Sequence, residues 1–235
     1  MGSSFENDIN EIFERYKERD TSSIDKRYSL LADRTLILTL QELHRGILKV
    51  LQSESYDPSR LRLLEIGCGA GGNLLFFLQL GVSAQNIVGN ELLPWRAQLA
   101  RDRLPSGIRI VEGDASRLPE PENTFDVVFQ STVFSSILNL TFQEALATRM
   151  WEVCRPGGGI LWYDIAVPNP YNKFIAPVKA ARIAELFPHG RISWQRITVA
   201  PPLRRALCNV FPSLYSPLTK LPFVKSHILA WIKKA

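Results

Sequence analysis

Leu61-Arg-Leu-Leu-Glu-Ile-Gly-Cys-Gly-Ala-Gly-Gly72 decides the fold. Leu61, Leu63, Leu64 and Ile66 form an apolar run carrying one acid, Glu65, and the run enters a turn containing Gly67, Gly69, Gly71 and Gly72. Asn73-Leu-Leu-Phe-Phe-Leu-Gln-Leu80 follows with helical character. The stretch reads as a buried parallel strand, a tight turn and a helix N-terminus. The glycines allow positive φ and a close approach of backbone to a ligand. The free N–H groups at the helix start can receive an anionic or polar group.

Two patterns fit the turn. Gly67, Gly69 and Gly72 match the dinucleotide spacing G-x-G-x-x-G, whereas Glu65, Gly67, Gly69 and Gly71 match the acid-x-G-x-G-x-G spacing of adenosyl-cofactor sites. A glycine turn that binds nothing is the plainer alternative, so the decision falls to the rest of the chain.

Composition sets the bounds. The 235 residues suit one α/β domain with additions, large enough for a sizeable core. A net charge of +5 suits an acidic partner but is too diffuse to argue for nucleic acid. Cys68, Cys154 and Cys208 lie far apart, with no zinc spacing and no disulfide framework, as expected of a cytoplasmic protein without a metal. No apolar run reaches the ~18 residues that span a bilayer, and residues 1–24 are too polar for a signal peptide.

Residues 5–20 place Phe5, Ile9, Ile12, Phe13 and Tyr16 at helical spacing, and residues 28–52 form a second helix that Tyr56-Asp-Pro-Ser59 ends. Residues 1–57 are therefore read as an N-terminal helical cap and 58–235 as the α/β domain. Strands are expected at 61–66, 87–91, 108–114, 125–130 and 159–164, with helices at 72–80, 94–104 and 142–154 and a turn at 155–159. A helix at 173–187, a strand at 191–199, a five-proline excursion at 201–225 and a last strand at 226–233 complete the chain. The result is a doubly wound, mostly parallel seven-stranded sheet with a late antiparallel pair at one edge.

Four features then stand in order: Glu65-Ile-Gly-Cys-Gly-Ala-Gly71, Gly89-Asn-Glu-Leu92, Glu112-Gly-Asp-Ala115, and Phe125-Asp-Val-Val128 with Arg155-Pro-Gly-Gly158. Together they resemble the class I S-adenosylmethionine-dependent methyltransferases, closely over residues 60–165. The resemblance implies a Rossmann-like methyltransferase fold and S-adenosylmethionine as cofactor. Gly67, Cys68, Gly69 and Gly71 would pass close to the ribose and methionine portion, and Glu65 would face the amino group. Glu91 would accept the ribose hydroxyls, a conservative departure from the usual Asp. Leu92 would pack on adenine, with Asp114 and the Ala115 N–H on its edge. Gln130 and Ser131 would lie near the sulfonium. Asp126 is read as structural. No Asn/Asp-Pro-Pro-aromatic run follows strand four, which argues against the N⁶-adenine DNA methylase branch.

The acceptor side is less defined. A base is needed where the nucleophile must lose a proton; Asp164 is preferred and His189 is the second candidate. Tyr16, Tyr28, Phe134, Tyr171 and Arg204 are taken as acceptor-facing. By analogy the acceptor is a small molecule, an oxygen of a sugar, glycan or natural-product intermediate. RNA and a lipid-linked acceptor at a membrane surface are the alternatives, and a monomer or homodimer is expected.

Overall fold

The computed structural model describes residues 5–21, 33, 35–168, 172 and 174–235. Helix α1 (Glu6–Thr21) and α2 (Leu36–Ser53) precede β1 (Leu63–Ile66), α3 (Gly72–Gln79), β2 (Ile87–Glu91), α4 (Pro94–Arg103) and β3 (Arg109–Glu112). Next come β4 (Phe125–Ser131), α5 (Leu140–Val153), β5 (Cys154–Ile165), α6 (Ala180–Leu186) and β6 (Arg191–Val199). Short helices α7 (Pro201–Cys208) and α8 (Tyr215–Leu218) lead to β7 (Lys225–Lys233).

The seven strands form one sheet in the order β3-β2-β1-β4-β5-β7-β6. Strands β1 to β5 are parallel, and β7 runs antiparallel to both neighbours. The late antiparallel strand therefore sits inside the sheet, between β5 and β6, and β6 takes the edge. Successive residues point to opposite faces, so Leu64, Ile66, Ile160 and Trp162 join α5 and α6 in one core. Leu63, Leu161 and Tyr163 join α2, α3 and α4 in the other. Among the described residues the two N-terminal helices build no core of their own: Ile12 of α1 packs into the first layer, and Leu43, Ile47 and Leu51 of α2 into the second.

Local chemistry explains several element ends. Pro94 opens α4, where its missing N–H costs nothing. Asn139 caps α5 by accepting from the N–H groups of Thr141 and Phe142. Asp126 holds the strand starts together, accepting from the Arg62 N–H at 2.7 Å and pairing with Arg155. It is the structural residue its position suggests.

Three expected elements change. Residues 28–32 lie outside those described, and α2 begins only at Leu36, after Asp33 accepts from the Thr35 N–H and hydroxyl. The 173–187 helix shrinks to α6, because Pro177 denies helical backbone to its predecessor and the loop is tied to the sheet instead. Its Ala176 and Val178 N–H groups donate to Ser135 and Ile165 carbonyls. Residues 154–158 count as strand rather than turn: Cys154 pairs with Phe125 and an irregularity carries the register to Val127–Gly159.

Candidate active site

A cavity of about 290 Å³ opens at the C-terminal ends of β1, β2 and β4. Ligands bind at this edge in open α/β sheets, where the strand order reverses between β1 and β4. Ile66 and Gly67, where β1 enters the glycine turn, form its floor; Glu65, Cys68, Gly69 and Gly71 stand behind them and do not line it. Gly67 and Gly71 adopt φ of +64° and +81°, and a Cβ on either would lie 2.7 Å from Val133 or 2.6 Å from Leu104. Gly69 is also left-handed, at +55°, yet a Cβ there would meet nothing within 4 Å. Backbone at Gly69 therefore borders open space that a side chain would fill.

Two buried carboxyl groups flank this turn. Glu65 accepts from the Asn73 amide at 2.7 Å through one oxygen, while its other oxygen is buried without a hydrogen-bond partner. Burial pushes its pKa up to about 8, against the Asn73 hydrogen bond and with a contribution from the Glu91 charge. Glu91 accepts from the Gly69 N–H at 2.8 Å and the Leu93 N–H at 2.9 Å, one on each oxygen. Burial raises its pKa despite these bonds. Each Glu91 oxygen keeps a lone pair for a hydroxyl donor.

The remaining wall comes from the loop after β3 and the end of β4. Leu92, Asp114, Ala115 and Ser131 line the cavity. Asp114 also caps the following 3-10 turn, accepting from the Ser116 N–H and hydroxyl, both at 2.9 Å. Asn90 fixes this loop by donating to the Val111 and Gly113 carbonyls. Gln130 is fully buried beneath the floor; its side-chain oxygen accepts from the Val133 N–H and so shapes the 131–133 turn. Thr132, a β-branched residue on the cavity wall, sits at φ +57° and donates to the Ser131 carbonyl. Cys68 is buried behind the turn; its N–H donates to Asn90, and burial raises its thiol pKa.

Helix α1 roofs the cavity through Ile12, Tyr16 and Arg19. The Tyr16 hydroxyl meets the Ser136 hydroxyl at 3.1 Å, and the Arg19 and Arg96 guanidinium groups pack on its ring, 4.2 and 4.6 Å from the centroid. Asp20 accepts from Arg96 Nε and Nη2, both at 2.7 Å, and from the Trp95 indole N–H at 2.9 Å. Burial works against that carboxylate, but these donors hold its pKa below the ordinary range. At the other side Arg15 donates to the Ser136 and Phe174 carbonyls, Asn139 donates to Asp8, and Phe5 stacks on Phe142 at 4.7 Å. The helix is thus clamped to α4 on one flank and to α5 and its preceding turn on the other. Arg96 and Asp20 were not signalled by any local spacing, because they meet across 76 positions.

Several expected acceptor-side residues stand elsewhere. Asp164 is fully buried on β5, accepting from the Ser135 and Ile165 N–H groups, with its pKa pushed up to about 6 by burial. It does not line the cavity. His189 is exposed in the turn before β6; Arg191 pairs with Lys233, which pairs with Gly159, and this places His189 at the opposite, N-terminal edge of the parallel sheet. Phe134 turns inward and packs on Trp162 at 4.4 Å. Arg204 is buried in an ion pair with Asp33 at 2.8 Å and donates to Thr35. Tyr28 and Tyr171 lie outside the described residues. Of the five acceptor-facing candidates, Tyr16 is the one placed on the cavity.

A seven-stranded sheet in this order, with a glycine turn after β1, an acid ending β2 and Asp114-Ala115 after β3, defines a class I S-adenosylmethionine-dependent methyltransferase fold. Comparison with known proteins agrees: residues 63–158 match the family described as a methyltransferase domain. That match takes in less than half of the chain, and the architecture around it is the Rossmann-like methyltransferase fold. The chain is 34% identical over 152 residues to the demethylmenaquinone methyltransferase of Deinococcus radiodurans, covering 63% of this chain and 59% of that protein. It is 28% identical over 139 residues to the sterol 4-C-methyltransferase strm-1 of Caenorhabditis elegans, covering 57% of this chain and 39% of that one. The chain thus spans about half the length of these curated relatives.

Among solved structures, a SAM-dependent methyltransferase from Archaeoglobus fulgidus superposes with a TM-score of 0.59 at 14% identity, over 86% of this chain and 100% of that one. The [4+2]-cyclase SpnF reaches 0.60 at 18% identity, over 83% of each chain. At these identities the likeness is one of fold; the cyclase shows that the fold alone does not name the reaction.

Proposed function

We propose that the protein binds S-adenosylmethionine in the cavity roofed by α1 and transfers its methyl group to a small-molecule acceptor. The observation that carries this reading is the pair of buried carboxyl groups at the glycine turn, one with an unpartnered oxygen, beside the open backbone at Gly69. A buried acid with an unused acceptor calls for a cationic or donor group, and the cofactor carries an ammonium and a sulfonium. When bound, S-adenosylmethionine supplies a methyl group on a good leaving group. The protein's share is orientation and exclusion of water, worth up to ~7–11 kcal/mol in favourable cases.

In this reading Glu91 takes the ribose hydroxyls on its free lone pairs. Leu92 and Ala115 flank the adenine, and Asp114 remains an acceptor at its edge. Glu65 ionises opposite the positive charge. Gln130 and Thr132 hold the 131–133 turn, and Tyr16 closes the roof. No metal is assigned a part.

For the acceptor, the relatives' names point to a quinone precursor and a sterol, both apolar ring systems. This supports an apolar ring compound methylated at carbon above the sugar oxygen that the sequence alone favours by analogy. An electron-rich ring carbon next to an acidic hydroxyl asks less of a base than a sugar hydroxyl does, and Asp164 and His189 are both off the cavity. A labelled-methyl screen on quinols, sterols, sugars, phenols and RNA tests the proposal. Label on a quinol or sterol supports it, and label on RNA or a sugar alone replaces the acceptor class. Absence of cofactor binding by calorimetry overturns the whole reading.

A further inference from the structure

The 201–225 excursion is fastened to the body on one side and strongly apolar on the other. Its inner contacts are the buried Arg204–Asp33 ion pair, the Tyr215 hydroxyl donating to Glu42 at 2.7 Å, and buried Cys208. The Ala200 N–H donates to the Val224 carbonyl and closes the neck of the excursion. Outward it exposes Leu207, Val210, Phe211, Leu214, Leu221 and Phe223. Val210 is 66%, Phe211 60% and Phe223 79% exposed. The Phe211 N–H donates to the Leu207 carbonyl, so helical winding continues past Cys208 and sets Leu207, Val210 and Phe211 on one side at i, i+3 and i+4. Bulky side chains this exposed and this close in sequence mark an interaction surface.

Charge selects the occupant. No Asp or Glu follows Glu185 in the sequence, while Lys and Arg recur from Arg191 to Lys234. Arg205 and Lys220 are exposed on the excursion itself, and Arg196 is exposed on the adjoining edge strand. A surface that joins protruding phenyl groups to charges of one sign matches an anionic bilayer, whose acyl boundary takes the rings and whose headgroups take the cations. Nucleic acid would satisfy the cations but leave the aliphatic side chains in water. We propose that this excursion docks the protein onto membranes containing anionic phospholipid.

The place of the excursion gives the docking a use. It follows β6, whose end at Val199 lies at the same edge as the ends of β1, β2 and β4, and thus at the edge that carries the cavity. Docking would turn that edge toward the bilayer, where an apolar ring acceptor resides. This last step rests on the methyl-transfer reading; the docking itself does not.

Co-sedimentation of the full chain with vesicles tests it. The protein is expected to sediment with phosphatidylcholine vesicles containing phosphatidylglycerol, weakly with phosphatidylcholine alone, and to be released by high salt. The combined variant Val210→Ser, Phe211→Ser, Phe223→Ser should lose at least about tenfold in partitioning. Its melting temperature and cofactor binding should be unchanged, because these side chains are exposed and off the cavity. Replacing Arg205 and Lys220 by Gln should cost about fivefold each. Failure to sediment with either vesicle, sedimentation unchanged in both variants, or binding to RNA in place of vesicles would overturn the proposal. Vesicle binding without any cofactor binding would sustain the docking and remove the methyl-transfer reading.

Discussion

Replacing Glu65 by Gln isolates the charge of the buried acid, since Gln keeps an oxygen for the Asn73 amide. In the folded protein the Glu65 pKa is pushed up to about 8, against an ordinary value of 4.5. Between these values the folded state keeps a proton that the unfolded chain has released. Stability therefore falls as pH rises from 4.5 and has lost its full share once pH passes 8. The ceiling on this loss is roughly 5 kcal/mol, and reorganisation around the ion brings it to a few. Without cofactor, Glu65→Gln should melt near the parent at pH 5 and above it at pH 8.5. Cofactor binding reverses the advantage, because the positive charges of the ligand favour the ionised acid. Between pH 6 and 8 the parent's affinity should climb by up to about tenfold per pH unit, with release of a proton, relative to the variant. The variant supplies the baseline, because the cofactor's own amino group titrates near 8. Calorimetry in two buffers of different ionisation enthalpy counts the released proton. Parallel affinity curves for the two proteins, with equal proton release, would refute the reasoning.

Three further outcomes are expected. Glu91→Ala should weaken cofactor binding by at least about tenfold, from loss of a carboxylate acceptor and of its bonds to Gly69 and Leu93, with the fold kept by circular dichroism; unchanged affinity would remove Glu91 from the site. Asp164→Asn puts an amide N–H₂ against one of two backbone donors, Ser135 or Ile165, and should cost about 1–3 kcal/mol in denaturant unfolding; lost turnover at parental stability and cofactor affinity would restore Asp164 as a base. Asp20→Ala removes the hydrogen bonds that tie Arg96 and Trp95 to α1, and cofactor release measured by stopped flow should accelerate about tenfold; an unchanged release rate would mean that these bonds do not gate the cavity.

The glycine turn, Glu91 and Asp114-Ala115 were legible in the sequence for a common reason. Each is a short stretch at a strand end, where residue type carries the signal: positive φ at Gly67, Gly69 and Gly71, Glu91 as the last residue of β2, and Asp114 two positions past β3. A mostly parallel sheet with a late antiparallel pair at one edge was legible through the alternation of strands and helices; the strand order, with β7 between β5 and β6, was not. Phe134, Asp164, His189 and Arg204 were misleading because spacing locates a residue along the chain without giving the direction of its side chain. Phe134 lies in the loop beside the cavity, yet a 3-10 turn rolls it onto Trp162. Arg204 has the composition of an anion binder and is consumed by Asp33.

The sequence by itself determined the class of fold, because a strand and a glycine turn carry their geometry in local backbone preference, with Glu65 in β1 and Glu91 at the end of β2 marking the strand ends. Only the tertiary structure decided what surrounds that turn. It showed one Glu65 oxygen without a partner, Glu91 braced by two backbone donors, and a roof held by Asp20, Trp95 and Arg96. It also set the apolar face of 201–225 outward at the edge that bears the cavity. Those features depend on burial and on contacts between distant segments, and a linear pattern does not encode which face of a side chain meets water.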